Sequence, residues 1–163
     1  MPNSNPSKFS PKELADIYRE LILYFEESSG LENEKLSTRV KGYRRLLEEL
    51  NLTMNVFATL DELNQAMLPA LDFSRNQMSL HDAKKSYLKS IFYHLRNAAA
   101  HADISRQKRN NNQVWYVVEH SHKKQLKMRC QIKKNDFWKF ITNAKKCKSN
   151  IKSAKEKSAG DQA

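Results

Sequence analysis

Three residues of this chain have types and spacing suited to chemistry on a phosphate: Arg96, Asn97 and His101. Arginine offers a planar fork that stays charged at any physiological pH and grips phosphate oxygens in pairs. Histidine exchanges a proton near neutrality, so it can act as general acid or base. An amide one turn before a histidine can orient the ring or a bound molecule. On a helical wheel with Leu95 at 0°, Leu88, Ile91, Phe92, Ala98, Ala99 and Ala102 lie within about 60°. Arg96 falls at about 100°, Asn97 at about 200° and His101 at about 240°, away from that apolar face. Tyr93, His94 and Ala100 share the polar stripe. This mixed patch suits contact with a second molecule better than plain solvation. The same Arg and His also fit an ordinary helix C-terminus, where cations meet the negative end of the dipole. Spacing alone does not separate these readings.

The elements that must position these residues are read mainly as helices. The chain has 163 residues, with only 3 Gly and 4 Pro, and the good helix formers Leu, Lys, Glu, Ala and Arg dominate. Ser10, Pro11 and Glu13 form a capping-box start. Leu14, Ile17, Tyr18, Leu21, Ile22 and Phe25 follow at helical spacing, and Ser28-Ser29-Gly30 ends the helix. A second helical region covers about 32–70, broken near Asn51–Asn55 or Thr59–Asp61 and limited by Pro69. Residues 72–78 read as a polar connection. The helix carrying Arg96 and His101 opens at Ser79, with Asp82 three residues on, and runs to about Ala102. Residues 105–112 read as a basic loop. Val114–Val118 and Gln125–Ile132 read as two strands joined by a turn over His120–Lys124. Asp136 is expected to cap a final helix. Residues 1–9 are expected to be disordered, 10–147 to form one domain and 148–163 to be a basic flexible tail.

Charge is divided unevenly. The net charge is +11; residues 1–100 carry 13 Lys/Arg against 13 Asp/Glu, and residues 101–163 carry 16 against 5. A polyanion partner, with nucleic acid foremost, or a solubilising tail would each explain this. Arg106, Lys108 and Arg109 follow the Arg96–His101 stretch directly and are the expected RNA-guiding patch. Lys123 and Lys124, with His120 and His122, are expected in the exposed hairpin turn, where they could touch phosphate. Trp115, Tyr116, Phe137 and Trp138 are expected in the core, with base stacking a lesser option for Trp115 or Tyr116. Cys130 and Cys147 have no metal-like spacing and read as two reduced thiols. No apolar run is long enough for a membrane span, and the N-terminus lacks a signal-peptide core. A cytoplasmic protein is expected, with no metal or cofactor.

Leu95-Arg96-Asn97-Ala98-Ala99-Ala100-His101 resembles the R-polar-x3-H signature of the HEPN superfamily, at the end of a late helix as in that superfamily. The resemblance covers roughly residues 10–145, and its specific part is the six-residue motif. It implies a mainly α fold: an antiparallel helical bundle with a small C-terminal β-hairpin and a short final helix. It also implies a metal-independent endoribonuclease in which the motifs of a homodimer meet in one composite site. Arg96, Asn97 and His101 would then be catalytic, and Tyr93, His94 and Ala100 would lie at the dimer interface. RNA supplies its own nucleophile, the 2′-hydroxyl, so the protein need only move protons and stabilise charge. A toxin or antiphage effector, controlled by an antitoxin or neighbouring protein, fits that activity. A catalytically silent module that binds nucleic acid, a nucleotide or another protein is the other reading. One departure stands out. In the toxin branch paired with nucleotidyltransferases, a Tyr two residues after the histidine is modified; here that position is Asp103.

Overall fold

A computed structural model describes residues 5–24, 41–66, 68, 70–84 and 87–145. Its centre is a six-stranded sheet in the order β1-β4-β5-β6-β3-β2. The strands are β1 (Asn5–Ser7), β2 (Leu52–Phe57), β3 (Asn76–His81), β4 (Ile104–Lys108), β5 (Val114–His122) and β6 (Gln125–Lys133). Among the described residues only β2 and β3 pair in parallel; the other four pairings are antiparallel. The helices are α1 (Pro11–Ile17, continuing as a wider turn over Tyr18–Leu23), α2 (Lys41–Glu49), α3 (Leu60–Gln65), α4 (Tyr87–Ala100) and α5 (134–145). The fold is therefore α+β, and the expected helical bundle is corrected.

The core explains the arrangement. Leu52, Met78, Leu80, Ile104, Tyr116, Val118, Met128, Cys130 and Ile132 cluster with Ile17 and Leu21 of α1, Leu46 of α2, Leu88, Ile91, Leu95 and Ala98 of α4, and Phe137, Phe140 and Ile141 of α5. Alternate residues along β4, β5 and β6 face this layer, as a pleated strand requires. Each fully buried large aliphatic side chain contributes about 1.5–3 kcal/mol. On the other sheet face Trp115 is buried, with Phe73 edge-on at 5.6 Å.

The start of α1 is as read. Ser10 accepts from the Glu13 N–H at 3.2 Å and the Glu13 carboxylate accepts from the Ser10 N–H at 2.9 Å. The expected stop at Ser28–Gly30, Cys147 and the 148–163 tail lie outside the described residues. Five other expectations are corrected. Leu52–Phe57 is a strand, preceded by Asn51 at φ 46°; Asn tolerates that left-handed turn, which ends helix geometry. Residues 76–81 are a strand inside the sheet, so the helix does not open at Ser79; α4 spans Tyr87–Ala100. Residues 104–108 are a strand, and Asn5–Ser7 pair with it at the edge. The β5–β6 turn is only Lys123-Lys124, so β5 runs on through His120. Asp136 lies inside α5 rather than before it, accepting from the Asn76 side chain at 2.9 Å.

Candidate functional site

Helix α4 is buried on a wider arc than the wheel implies. Leu88, Ile91, Leu95 and Ala98 face the core, and Ser90 and His94 are also fully buried. Tyr93, Arg96 and Asn97 are half-buried, while Ala100 and His101 are exposed. The Arg96 Nη1 donates to Asn97 Oδ1 at 3.0 Å. The His101 N–H donates to the Asn97 carbonyl at 3.0 Å, which fixes the backbone beneath the imidazole. The helix then closes in a Schellman motif. The Asp103 N–H reaches the Ala98 carbonyl at 2.8 Å and the Ala102 N–H reaches that of Ala99 at 3.2 Å, with Ala102 at φ 58°. The Asp103 carbonyl accepts from the Glu119 N–H at 3.1 Å. That bond extends the β4–β5 ladder back to the helix end and sets His101 beside the His120 region of β5.

His94 was expected at a dimer surface; it is instead an internal residue. Its Nε2 lies 2.8 Å from the His81 carbonyl and its Nδ1 lies 3.0 Å from Nδ1 of His120. A carbonyl only accepts, so His94 carries its proton on Nε2. Its bare Nδ1 must then accept, so His120 carries its proton on Nδ1. The relay therefore leaves Nε2 of a neutral His120 as a lone pair. Burial pushes His94 down to about 4, against the hydrogen bond that its Nε2 donates to the His81 carbonyl. Burial also lowers His120; Lys127 adds to this, Asp103 opposes it, and His101 and His122 add further. Tyr93 packs edge-on to both rings, with centroids 5.3 Å and 6.4 Å away. Lys84 Nζ sits 4.6 Å above the Tyr93 ring.

The expected basic residues do not form one patch. Arg106 faces the core layer, donating to Glu13 Oε1 at 3.1 Å and to Ser7 Oγ at 2.6 Å. It is a structural ion pair, so its RNA-guiding role is withdrawn. Arg109 lies 4.2 Å over the Phe73 ring, and Lys108 is exposed. Both lie about 17–20 Å along β4 from the α4 end. Lys123 and Lys124 are exposed, at φ 50° and 62°, at the tip of the β5–β6 hairpin beyond His120. They share the sheet end with His101. Cys130 is wholly buried and pushed up to about 12, so it stays an inert thiol.

Two residues were missed by the sequence reading. His120 is 5% exposed, not a turn residue. Continuing the Tyr116–Val118 alternation by one step would have placed it on the core face. Lys127 sits where the β5–β6 register slips between His120 and Ser121, as His120 pairs with Met128 and Ser121 with Leu126. That extra residue is a β-bulge, a device that re-aims side chains beside functional sites. No sequence signal marked it.

Among the described residues no helix is long and apolar enough to cross a membrane. No match to the chain is found among curated proteins or solved structures. A protein-family model does match, over residues 22–155, which takes in the Arg96–His101 helix, the sheet strands from β2 onward and α5. By that match, over most of its length, the chain belongs to the HEPN pEK499 p136 family and so to the HEPN superfamily.

Proposed function

We propose that this protein is a metal-independent endoribonuclease acting through Arg96, Asn97 and His101. The observation that carries this reading is the end of α4 in a HEPN chain: Arg96 held against Asn97, with His101 exposed one turn on. Arg96 would hold the scissile phosphate and stabilise charge in the transition state. His101 would exchange the proton. Lys123 and Lys124, at the same end of the sheet, would guide the RNA backbone. Two copies would meet through the Tyr93–Ala100 end of α4 to form a homodimer. An activity of this kind suits a toxin or antiphage effector under the control of a neighbouring protein.

The test is cleavage of total RNA by purified protein with a chelator present. His101→Ala and Arg96→Ala should each lower the rate roughly 10²- to 10⁴-fold while the thermal midpoint is kept. The product should carry a 2′,3′-cyclic phosphate, and 2′-O-methyl RNA and DNA should survive. Cleavage of a 2′-O-methylated strand, or full activity of His101→Ala, would overturn the mechanism. Absence of cleavage by wild type on any RNA would leave a silent module that binds nucleic acid or nucleotide.

A further inference from the structure

We propose that His120 and His101 of one chain form a two-imidazole phosphodiester site, in which His94 positions His120 and Lys127 adds positive charge. This rests on the ribonuclease reading above and changes it at one point: each chain carries its own acid and base, and a dimer is not needed to unite two histidines.

Three independent features lead here. The first is the relay from the His81 carbonyl through His94 to His120, with bonds of 2.8 Å and 3.0 Å. It fixes which nitrogen of His120 is bare. The second is the backbone junction between Asp103 and Glu119 at 3.1 Å, which brings the exposed His101 end of α4 to the His120 end of β5. The third is the bulge on β6, which puts Lys127 close enough to act electrostatically on both His94 and His120. A buried pair of neutral imidazoles served by a nearby cation, at the end of a helix carrying an arginine, is arranged for an anion that arrives from outside.

The chemistry balances without a further reactant. The neutral His120 takes the 2′-hydroxyl proton on Nε2 as the 2′-oxygen–phosphorus bond forms. The other imidazole, His101, delivers its proton to the 5′-oxygen as the phosphorus–5′-oxygen bond breaks. The products are a 2′,3′-cyclic phosphate and a 5′-hydroxyl, and solvent returns both imidazoles to their starting states. Lys127 and Arg96 face the charge on the phosphate oxygens. His94 touches no reacting atom; it sets the tautomer of His120.

The test has two arms on the full chain. In the first, the imidazole protons are followed by NMR through a pH titration, with and without inorganic phosphate. Phosphate should raise the midpoints of His101 and His120 together, and Lys127→Met should weaken that response. If phosphate moves His101 alone, or neither, the shared site is overturned. In the second arm, His120→Gln should lower the RNA cleavage rate 100-fold or more. His94→Gln, whose amide can still donate to the His81 carbonyl and accept from His120, should keep most of the rate, and His94→Leu should lose it. Full cleavage by a folded His120→Gln protein sinks the pair and leaves the ribonuclease reading standing. A wild-type protein that cleaves no RNA sinks the ribonuclease reading, and the phosphate arm still decides the site.

Discussion

At His120 the balance between the charged and neutral ring is set by its surroundings, and each can be altered singly. Burial disfavours the imidazolium most, and Lys127 on β6 adds to this. Asp103, after α4, works the other way, while His101 and His122 side with Lys127. His94 contributes its bare Nδ1 through the 3.0 Å bond. If His120 is the base, the rising limb of kcat/KM against pH reports its proton loss. That limb should therefore lie below the ordinary histidine value. Lys127→Met removes a repelling cation and should move the limb to higher pH. Asp103→Asn removes an attracting anion and should move it to lower pH. Opposite signs from two neighbouring substitutions are hard to obtain from general damage to the fold. Limbs that do not move in either variant would show that another group sets the profile.

At the scale of elements, the end of α4 is built with a residue poorly suited to it. The Schellman closure needs a left-handed residue, and Ala102 supplies it at φ 58°. A Cβ in that conformation costs about 1 kcal/mol that glycine would not incur. Ala102→Gly should thus stabilise the protein by roughly 0.5–1 kcal/mol, read as a raised denaturation midpoint in urea. A lowered midpoint would show that the Ala102 methyl is needed for packing. This helix was legible in the sequence because Leu88, Ile91, Leu95 and Ala98 recur at its period, and the capping box of α1 was legible for a similar local reason. The strands β2 and β3 were not. They carry Asn55, Asn76 and Ser79, and polar residues signal a loop unless their partners are known. Asn76 is buried because it donates to the Leu50 carbonyl at 2.7 Å and to Asp136 at 2.9 Å, and accepts from the Lys133 N–H at 2.9 Å. Those partners lie 26, 60 and 57 residues away in the chain. Arg106 was misread for the same reason. Its charge was visible, but its buried acceptor Glu13 is 93 residues distant. The motif residues needed only local pattern; the His94–His120 relay needed the sheet.

At the scale of the whole molecule, two buried titratable groups join helices to the sheet, and both make the fold sensitive to acid. Glu13 on α1 accepts from Tyr116 of β5 at 2.9 Å and from Arg106 of β4 at 3.1 Å, and pairs with Lys134 of α5 at 2.9 Å. Burial alone would raise its carboxyl. The Ser10 N–H, Lys134, Tyr116 and Arg106 outweigh burial and bring it down to about 2. A carboxylate with a depressed folded pKa favours the folded state above its unfolded value, near 4.5, and that support is lost as pH falls towards about 2. His94 joins α4 to β5 and β3, and burial lowers it to about 4 from 6.5. Here the unfolded chain binds the extra proton first, so stability falls as pH drops from about 6.5 towards 4. Both effects have the same sign, and they occupy adjoining windows. Unfolding free energy measured by urea titration should therefore decline in two stages, each by a few kcal/mol. His94→Gln should shrink the upper stage to the share that His120 contributes, and leave the lower one. Glu13→Gln should remove the lower stage and cost about 2–4 kcal/mol at neutral pH, because it strands the half-buried Arg106 charge. Stability that stays level from pH 7 down to 4 in the wild-type protein would contradict a neutral, buried His94 and, with it, the tautomer assigned to His120.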